Sequence, residues 1–544
     1  MALLTTLLAL LVGTAVFIGV LPYVVRLVGR LIGSSVYSRT QQRRELLLNR
    51  AKSDGKAQAE KTSVGQSQKA SSSTSLDEEW EKVNRTPPGS PPQTGRSQSS
   101  DESYTGVIGF FHPFCNAGGG GERVLFAAIL ATQQRYPNAL CVVYTGDHDA
   151  SKEMILSNVR NRFNIDLKPA RISFLYLSTR EYVLASRWPH FTLLGQSLGS
   201  LVLGWDAFNL LVPDIFIDTM GYAFTIALCK WLFPWMPTGA YVHYPTISTD
   251  MLKSLHDEVG NRGLNAGLGK GTKGKAKQFY WEMFARLYSW VGGHVDVVMT
   301  NSTWTQRHIS SLWGTSRTKR GHKHDISVVY PPCAVEELQG KIPADSPRSN
   351  TLLYIAQFRP EKTHEVIIDA FIALLKQWTP SQGSKPKLVL AGSVRDDGDE
   401  KRVYKLRLQA QEVRENVEFI INAKWLRILD LLKSSSVGVN GMWNEHFGIG
   451  VVEYQAAGLI SVVNDSGGPK EDIVVPIDGQ PTGFLASTTP EFTEGFAKAL
   501  ALSADDALAM RHRARKSSLR FSEETFSTAW TAHLERLVEI GRKP

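Results

Sequence analysis

Glu445 and Glu453 stand eight positions apart, with the run HFGIGVV between them. The apolar SVGVN ahead of them reads as a strand and the residues around Val451 as a helix, so Glu445 falls in a loop and Glu453 within the helix that follows. A loop acid can accept hydrogen bonds from sugar hydroxyls while the helical acid reaches a ribose one site away. Gly448 and Gly450 leave backbone amides exposed at a helix start, which suits a phosphate. With SGGPKE (466–471) after the next strand, the pattern reads as a sugar-nucleotide site.

Further candidate groups lie in loops that follow strands. QFRPEKTHE (357–365) places Arg359 and Lys362 where paired cations could neutralise a diphosphate. HPFCNAGGGGE (112–122) joins a strand to a helix, and Gly119 and Gly120 would let backbone N–H groups approach an anion. That loop lacks the GK[ST] ending of an ATPase loop and the GxGxxG spacing of a dinucleotide site, which argues against kinase and dehydrogenase chemistry. Asp147-His148-Asp149 and Asp397-Gly398-Asp399 have a spacing that could hold a divalent cation, yet both fall in charged loops where solvated turns are the commoner outcome. No metal or other cofactor is expected.

These loops need strands behind them. VIGFF (107–111), a helix from Glu122 to Arg135 and CVVYTG (141–146) form one βαβ unit. The second half alternates more cleanly: LLYIAQF, a helix from His364 to Trp378, KLVLAG, a charged helix from Asp399, VEFII, a helix from Lys424, SVGVN, a helix near Val451, then ISVV. Such alternation implies parallel, doubly wound sheets, whose ligands sit beyond the carboxyl ends of the strands. At 544 residues the chain is too long for one core. The expected organisation is an anchor over 1–30, a disordered tether over 31–103, Rossmann-like domains over 104–347 and 348–520, and a last helix over 521–544 that packs back on the first domain.

From Ala2 to Val25 no residue is charged, and about 24 helical residues would span ~36 Å, enough to cross a bilayer. Arg26, Arg30, Arg39, Arg43, Arg44 and Arg50 follow it, so the positive-inside rule puts a short N-terminus in the lumen and the body in the cytosol. The segment 40–103 is polar and contains PPGSPP. Residues 193–237 are unusually apolar and read either as core elements or as a surface dipping into the bilayer. The loop Asn261–Lys277 is rich in Gly and Lys and is expected to be mobile. Part of the net charge of +9 comes from that loop and the anchor's flank, so it is not a nucleic-acid footprint. The four cysteines show no CxxC pair or zinc spacing, which fits free thiols in a reducing compartment.

Together GGGGERVL, DTMGYAFT, YVHYPTISTDML, NSTWT, YPPC, QFRPEK and NEHFGIGVVEYQAAG resemble the retaining GT-B glycosyltransferases with an E-x7-E signature. Within them the chain is similar to the dolichol-pathway α-1,2-mannosyltransferases, from Thr105 to its C-terminus. The resemblance implies two Rossmann-like domains facing a cleft, behind an N-terminal transmembrane helix. It implies retaining α-1,2 transfer from GDP-mannose to lipid-linked trimannosyl-chitobiosyl-diphosphodolichol, adding the fourth and fifth mannoses. The setting implied is the cytosolic face of the endoplasmic reticulum membrane, with other mannosyltransferases of the pathway as candidate partners. Carried onto this sequence, Glu445 contacts mannose hydroxyls, Glu453 the ribose, Arg359 and Lys362 the diphosphate, and His243 sits over the anomeric centre. His446, Phe447, Gly448 and Ile449 complete the donor site. Lys362 follows Arg359 by three positions, where many relatives have five.

Overall fold

The computed structural model describes residues 2–69, 100–254, 271–322 and 326–542. The first helix, α1 (Ala2–Lys69), runs far beyond the expected anchor. It contains the one stretch among the described residues, within Gly19–Lys56, that is long and apolar enough to cross a membrane. Residues 31–69, expected in a disordered tether, are helical, whereas 70–99, with PPGSPP, lie outside the described residues. The correction has a physical cause: Ile32, Val36, Leu47 and Ala51 recur at helical spacing among the polar residues and pack into the first domain's core. Arg44 anchors the same face to Asp214 at 2.5 Å, and Arg43 donates to the Leu210 carbonyl at 2.6 Å.

The first sheet contains β1 (Val107–Phe111), β2 (Leu140–Thr145), β3 (Ile172–Tyr176), β4 (Ile215–Asp218), β5 (Thr238–Val242), β6 (Val297–Thr300) and β7 (Ser327–Val328). They pair in parallel in the order β3-β2-β1-β4-β5-β6-β7. Every residue of β1, β2 and β5 is buried, which is why β1 and β2 read as near-continuous apolar runs. One face is covered by α1, α4 (Thr192–Leu210), α5 (Ala223–Leu232), α7 (Gly271–Gly292) and α8 (Thr303–Lys319). The other is covered by α2 (Gly120–Arg135) and α3 (Lys152–Phe163). A short helix, α6 (Thr249–Ser254), follows β5. Residues 271–277, expected in a mobile loop, open α7, while 261–270 lie outside the described residues.

The second sheet contains β8 (Ser349–Ile355), β9 (Lys387–Gly392), β10 (Val417–Ile421), β11 (Ser435–Asn440), β12 (Ile460–Asn464) and β13 (Gly483–Ala486), in the order β10-β9-β8-β11-β12-β13. On one face lie α10 (His364–Gln377), α11 (Asp397–Gln409) and α14 (Thr489–Leu500). On the other lie α9 (Val335–Lys341), α12 (Trp425–Ser434) and α13 (Ile449–Ala457). Val335 and Leu338 of α9 belong to this second core, so the boundary falls shortly after β7 rather than at 347. After α15 (Ala504–Ser518), α16 (Glu523–Arg542) returns to the first domain. There Phe526, Trp530 and Leu534 complete the core under α2, and Arg123 and Arg135 pair with Glu523 and Glu535 at 2.6 Å each.

Candidate active site

In both sheets the strand order reverses beside the first strand, between β1 and β4 and between β8 and β11. Crevices open at such switch points, and the loops from both meet in a cleft of ≈1020 Å³. Gly119, Gly120 and His243 line it from the first domain. Lys362, Glu445, His446, Phe447, Gly448, Ile449 and Glu453 line it from the second.

Lys362 ends a short 3-10 turn after β8, and Glu445 lies in the loop after β11. Their charged groups meet at 2.5 Å. The Tyr354 hydroxyl, rising from β8, donates to the Lys362 carbonyl at 2.6 Å and fixes that turn. Burial works to raise the Glu445 carboxyl, but the Lys362 ammonium outweighs it and holds it below the usual carboxylate range. Arg359 is not among the described residues that line the cleft. Its backbone is still extended (φ −117°, ψ 155°) before the turn begins, so it does not share a helical side with Lys362. Sequence reasoning missed other cations that line the cleft, Arg123 of α2, Arg160 and Arg162 of α3 and Lys341 of α9, because these three helices are far apart in sequence and no local motif joins them.

Gly448 caps α13 with φ 105°; its carbonyl accepts the Val451 amide at 2.9 Å, so the Ile449 and Gly450 amides are the ones that precede the intrahelical ladder. Across the cleft Gly120 approaches Ile449 so closely that a Cβ there would lie 2.7 Å from its Cδ1. The Gly119 amide is already engaged, donating to the Glu122 carboxylate at 2.8 Å, so the glycine loop offers a ligand fewer amides than its sequence suggests. Glu453, in the second turn of α13, has its carboxyl pushed up to about 7 by burial, with Arg123 opposing and Glu337 reinforcing the shift.

His243 follows β5, and burial pushes its pKa down to about 4. Its Nε2 lies 3.0 Å from the Thr219 carbonyl, which requires the proton on Nε2 and leaves Nδ1 as an acceptor. Behind it, the fully buried His112 reaches the Thr219 hydroxyl at 2.8 Å. Thr219 and His112 thus position His243; DTMGYAFT and the start of the glycine loop carried that signal in sequence, but only the pairing of β1 with β4 joins them. His446 stacks on Tyr244 at 5.1 Å and lies 5.3 Å from Trp304, both on the first domain. Phe447 packs against Tyr330 and Phe521, so its ring is a wedge in the domain junction. Neither DxD triplet forms a cluster of metal ligands among the described residues. Asp147 is paired with Arg180 and accepts the Asn116 amide, and Asp397 and Asp399 lie in the first turn of α11.

Two facing Rossmann-like sheets with a sugar-nucleotide cleft at their switch points define the GT-B class of glycosyltransferase. Solved structures bear out the fold: a trehalose 6-phosphate synthase from Burkholderia multivorans superposes with a TM-score of 0.56 at 12% identity, covering 80% of this chain and 99% of that one. The N-terminal domain of a Candida albicans trehalose-6-phosphate phosphatase gives 0.57 at 11% identity, covering 81% and 98%. Residues 105–313 match the family described as ALG11 mannosyltransferase N-terminus, and 336–518 match glycosyl transferases group 1. The GDP-Man:Man(3)GlcNAc(2)-PP-Dol alpha-1,2-mannosyltransferase of Neurospora crassa is 56% identical over 537 residues, 96% of this chain and 94% of that one. The enzymes of the same name from Mus musculus and Homo sapiens are 46% and 45% identical, over 81% and 79% of this chain and 89% and 87% of theirs. The chain belongs to this family of α-1,2-mannosyltransferases.

Proposed function

We propose that the chain transfers mannose from GDP-mannose, in α-1,2 linkage and with retention, to trimannosyl-chitobiosyl-diphosphodolichol, adding the fourth and fifth mannoses. The observation that carries this reading is the Lys362–Glu445 pair on the second domain, across the cleft from His243 on the first, in a chain with such close relatives. In this reading Glu445 accepts hydrogen bonds from mannose hydroxyls and Glu453 from the ribose. Lys362 and the first-turn amides of α13 receive the diphosphate. His243, neutral at physiological pH, orients a hydroxyl through Nδ1 rather than acting as an acid. The bond from C1 to the diphosphate oxygen breaks as the bond from C1 to the acceptor 2-hydroxyl oxygen forms on the same face. The acceptor proton passes to the leaving diphosphate. A double displacement would need a free carboxylate beside C1, and Glu445 is instead engaged by Lys362.

The reading needs no divalent metal, since Lys362 and helix-terminal amides supply the positive field. Activity is therefore expected to be unchanged in excess EDTA; loss that Mn²⁺ restores would refute this. The decisive assay incubates the full chain with GDP-mannose and a synthetic lipid-linked trimannosyl acceptor and sizes the product. Two added α-1,2 mannoses support the assignment. No product, or a preference for UDP-glucose or UDP-N-acetylglucosamine, overturns it. The same reading places the chain in the endoplasmic reticulum membrane, N-terminus lumenal and body cytosolic. A glycosylation sequon fused ahead of Ala2 would then be modified, while the sequons Asn301-Ser302-Thr303 and Asn464-Asp465-Ser466 of the body would not.

A further inference from the structure

A second cavity lies on the first domain, on the side covered by α4 and α7. It is an apolar groove of ≈610 Å³ bounded by Phe191 and Leu193 at the start of α4, Met251 of α6, and Ala276, Tyr280 and Trp281 of α7. Its size is within the ~300–1,000 Å³ of small-molecule sites. Phe191 is 66% exposed and has a left-handed backbone (φ 52°, ψ 39°), a strained conformation for an aromatic residue. Its ring is braced edge-on by Tyr280 at 5.1 Å, and the Tyr280 hydroxyl accepts the Leu194 amide at 3.0 Å. An exposed aromatic is thus held beside the groove by a strained backbone instead of collapsing into it.

Two further observations define what would enter. Lys277 lines the groove, with its ammonium 4.9 Å over the Trp281 ring, and Lys273 and Lys275 are exposed in the preceding turns of α7, so the start of that helix is basic. Met251, in its wall, directly follows Asp250, which accepts a hydrogen bond from Asn444 at 2.9 Å. Asn444 precedes Glu445, so the groove lies one residue from a contact that reaches the sugar-binding loop. Away from the cleft, exposed Leu198, Val202 and Trp205 on α4 and Phe279, Met283 and Trp290 on α7 extend the apolar surface on the side to which α1 is docked.

We propose that this groove binds the first isoprene units of a polyisoprenyl diphosphate-linked acceptor, with the basic start of α7 towards the diphosphate. The proposal rests on the reading of the chain as a transferase for such an acceptor and adds where the lipid lies. Branched, unsaturated isoprene units offer both apolar bulk and π faces to Phe191, Tyr280 and Trp281, and the diphosphate complements the basic start of α7.

Ala276→Trp, at an exposed site on α7, fills the groove without touching the nucleotide cleft. The full chain in detergent micelles is assayed with two acceptors carrying the same trimannosyl-chitobiosyl diphosphate, one on a polyisoprenyl chain and one on a short linear alkyl chain. The variant is expected to raise KM for the polyisoprenyl acceptor at least fivefold and to leave the alkyl acceptor's KM, the GDP-mannose KM and kcat within twofold. Equal effects on both acceptors, or none on either, overturn the proposal. A benzophenone-bearing isoprenyl diphosphate gives a readout independent of turnover, so the groove is testable even if the proposed reaction fails. Labelling of the peptide containing Tyr280 and Trp281, lost in Ala276→Trp, supports the groove. Labelling elsewhere, or labelling erased by excess phosphatidylcholine, overturns it.

Discussion

Lys362 and Glu445 are 20% and 15% exposed, so each is the other's main source of charge compensation. Lys362→Met is expected to lower kcat about 10²–10³-fold, the usual effect of removing one electrostatic stabiliser. It also leaves Glu445 unpaired and costs about 2 kcal/mol, below the ~3–5 kcal/mol of a fully buried pair. Lys362→Met with Glu445→Gln should regain the stability and not the activity, in urea unfolding and turnover respectively. If the double variant recovers turnover, the pair is structural. Glu453 supplies a pH dependence with a definite sign. Its carboxyl, raised to about 7, is protonated below that pH and accepts ribose hydroxyls fully only above it. KM for GDP-mannose should therefore be about tenfold higher at pH 6 than at pH 8, following the ionised fraction. His243 and His446, both pushed down to about 4, stay neutral throughout that range. A slope that persists in Glu453→Gln would discard this origin.

At the scale of elements, α1 is the largest departure from expectation. It is held to α5 at a close approach: a Cβ at Gly33 would lie 2.0 Å from the Leu232 carbonyl oxygen. Gly33→Leu is therefore expected to lift the helix from the domain, costing about 1–3 kcal/mol as overpacking does. Limited proteolysis would register this as new cleavage between residues 34 and 56, with donor KM unchanged. If cleavage stays as in the wild type, the docking of α1 tolerates more than the geometry allows. The Glu122 carboxylate at the start of α2 and the Gly448 cap of α13 show how two similar glycine turns differ in function. One has part of its amide array satisfied by its own chain; the other opens the helix that carries Glu453.

Across the whole molecule, the two domains are joined by polar contacts as well as by α16. Asp472 accepts the Thr303 amide at 2.9 Å, adding to the Ser302 cap at the start of α8, and also accepts the Tyr330 hydroxyl at 2.9 Å. Arg307 pairs with Glu471 beside it. Asp472→Ala is expected to cost about 1 kcal/mol, as the loss of a cap does. Because the contact spans the domains, donor KM should rise about threefold and the radius of gyration in small-angle scattering should increase. An unchanged radius with raised KM would confine the effect to the local loop.

The amino-acid sequence by itself determined the alternation of strands and helices, the placement of Glu445 in a loop and Glu453 in a helix, and the uncharged N-terminal run. These follow from periodicity and local turn chemistry, which act over a few residues. It also carried the helical spacing of Ile32, Val36 and Ala51, hidden by the polar residues between them. Tertiary structure alone decided that Lys362 and not Arg359 faces the cleft, that α9 belongs to the second domain, and that His112, Thr219 and His243 form one unit. It likewise brought Met251 to an apolar groove one residue from the contact with Asn444. Each of these depends on groups distant in the chain meeting through sheet order and helix packing, and no local pattern encodes such a meeting.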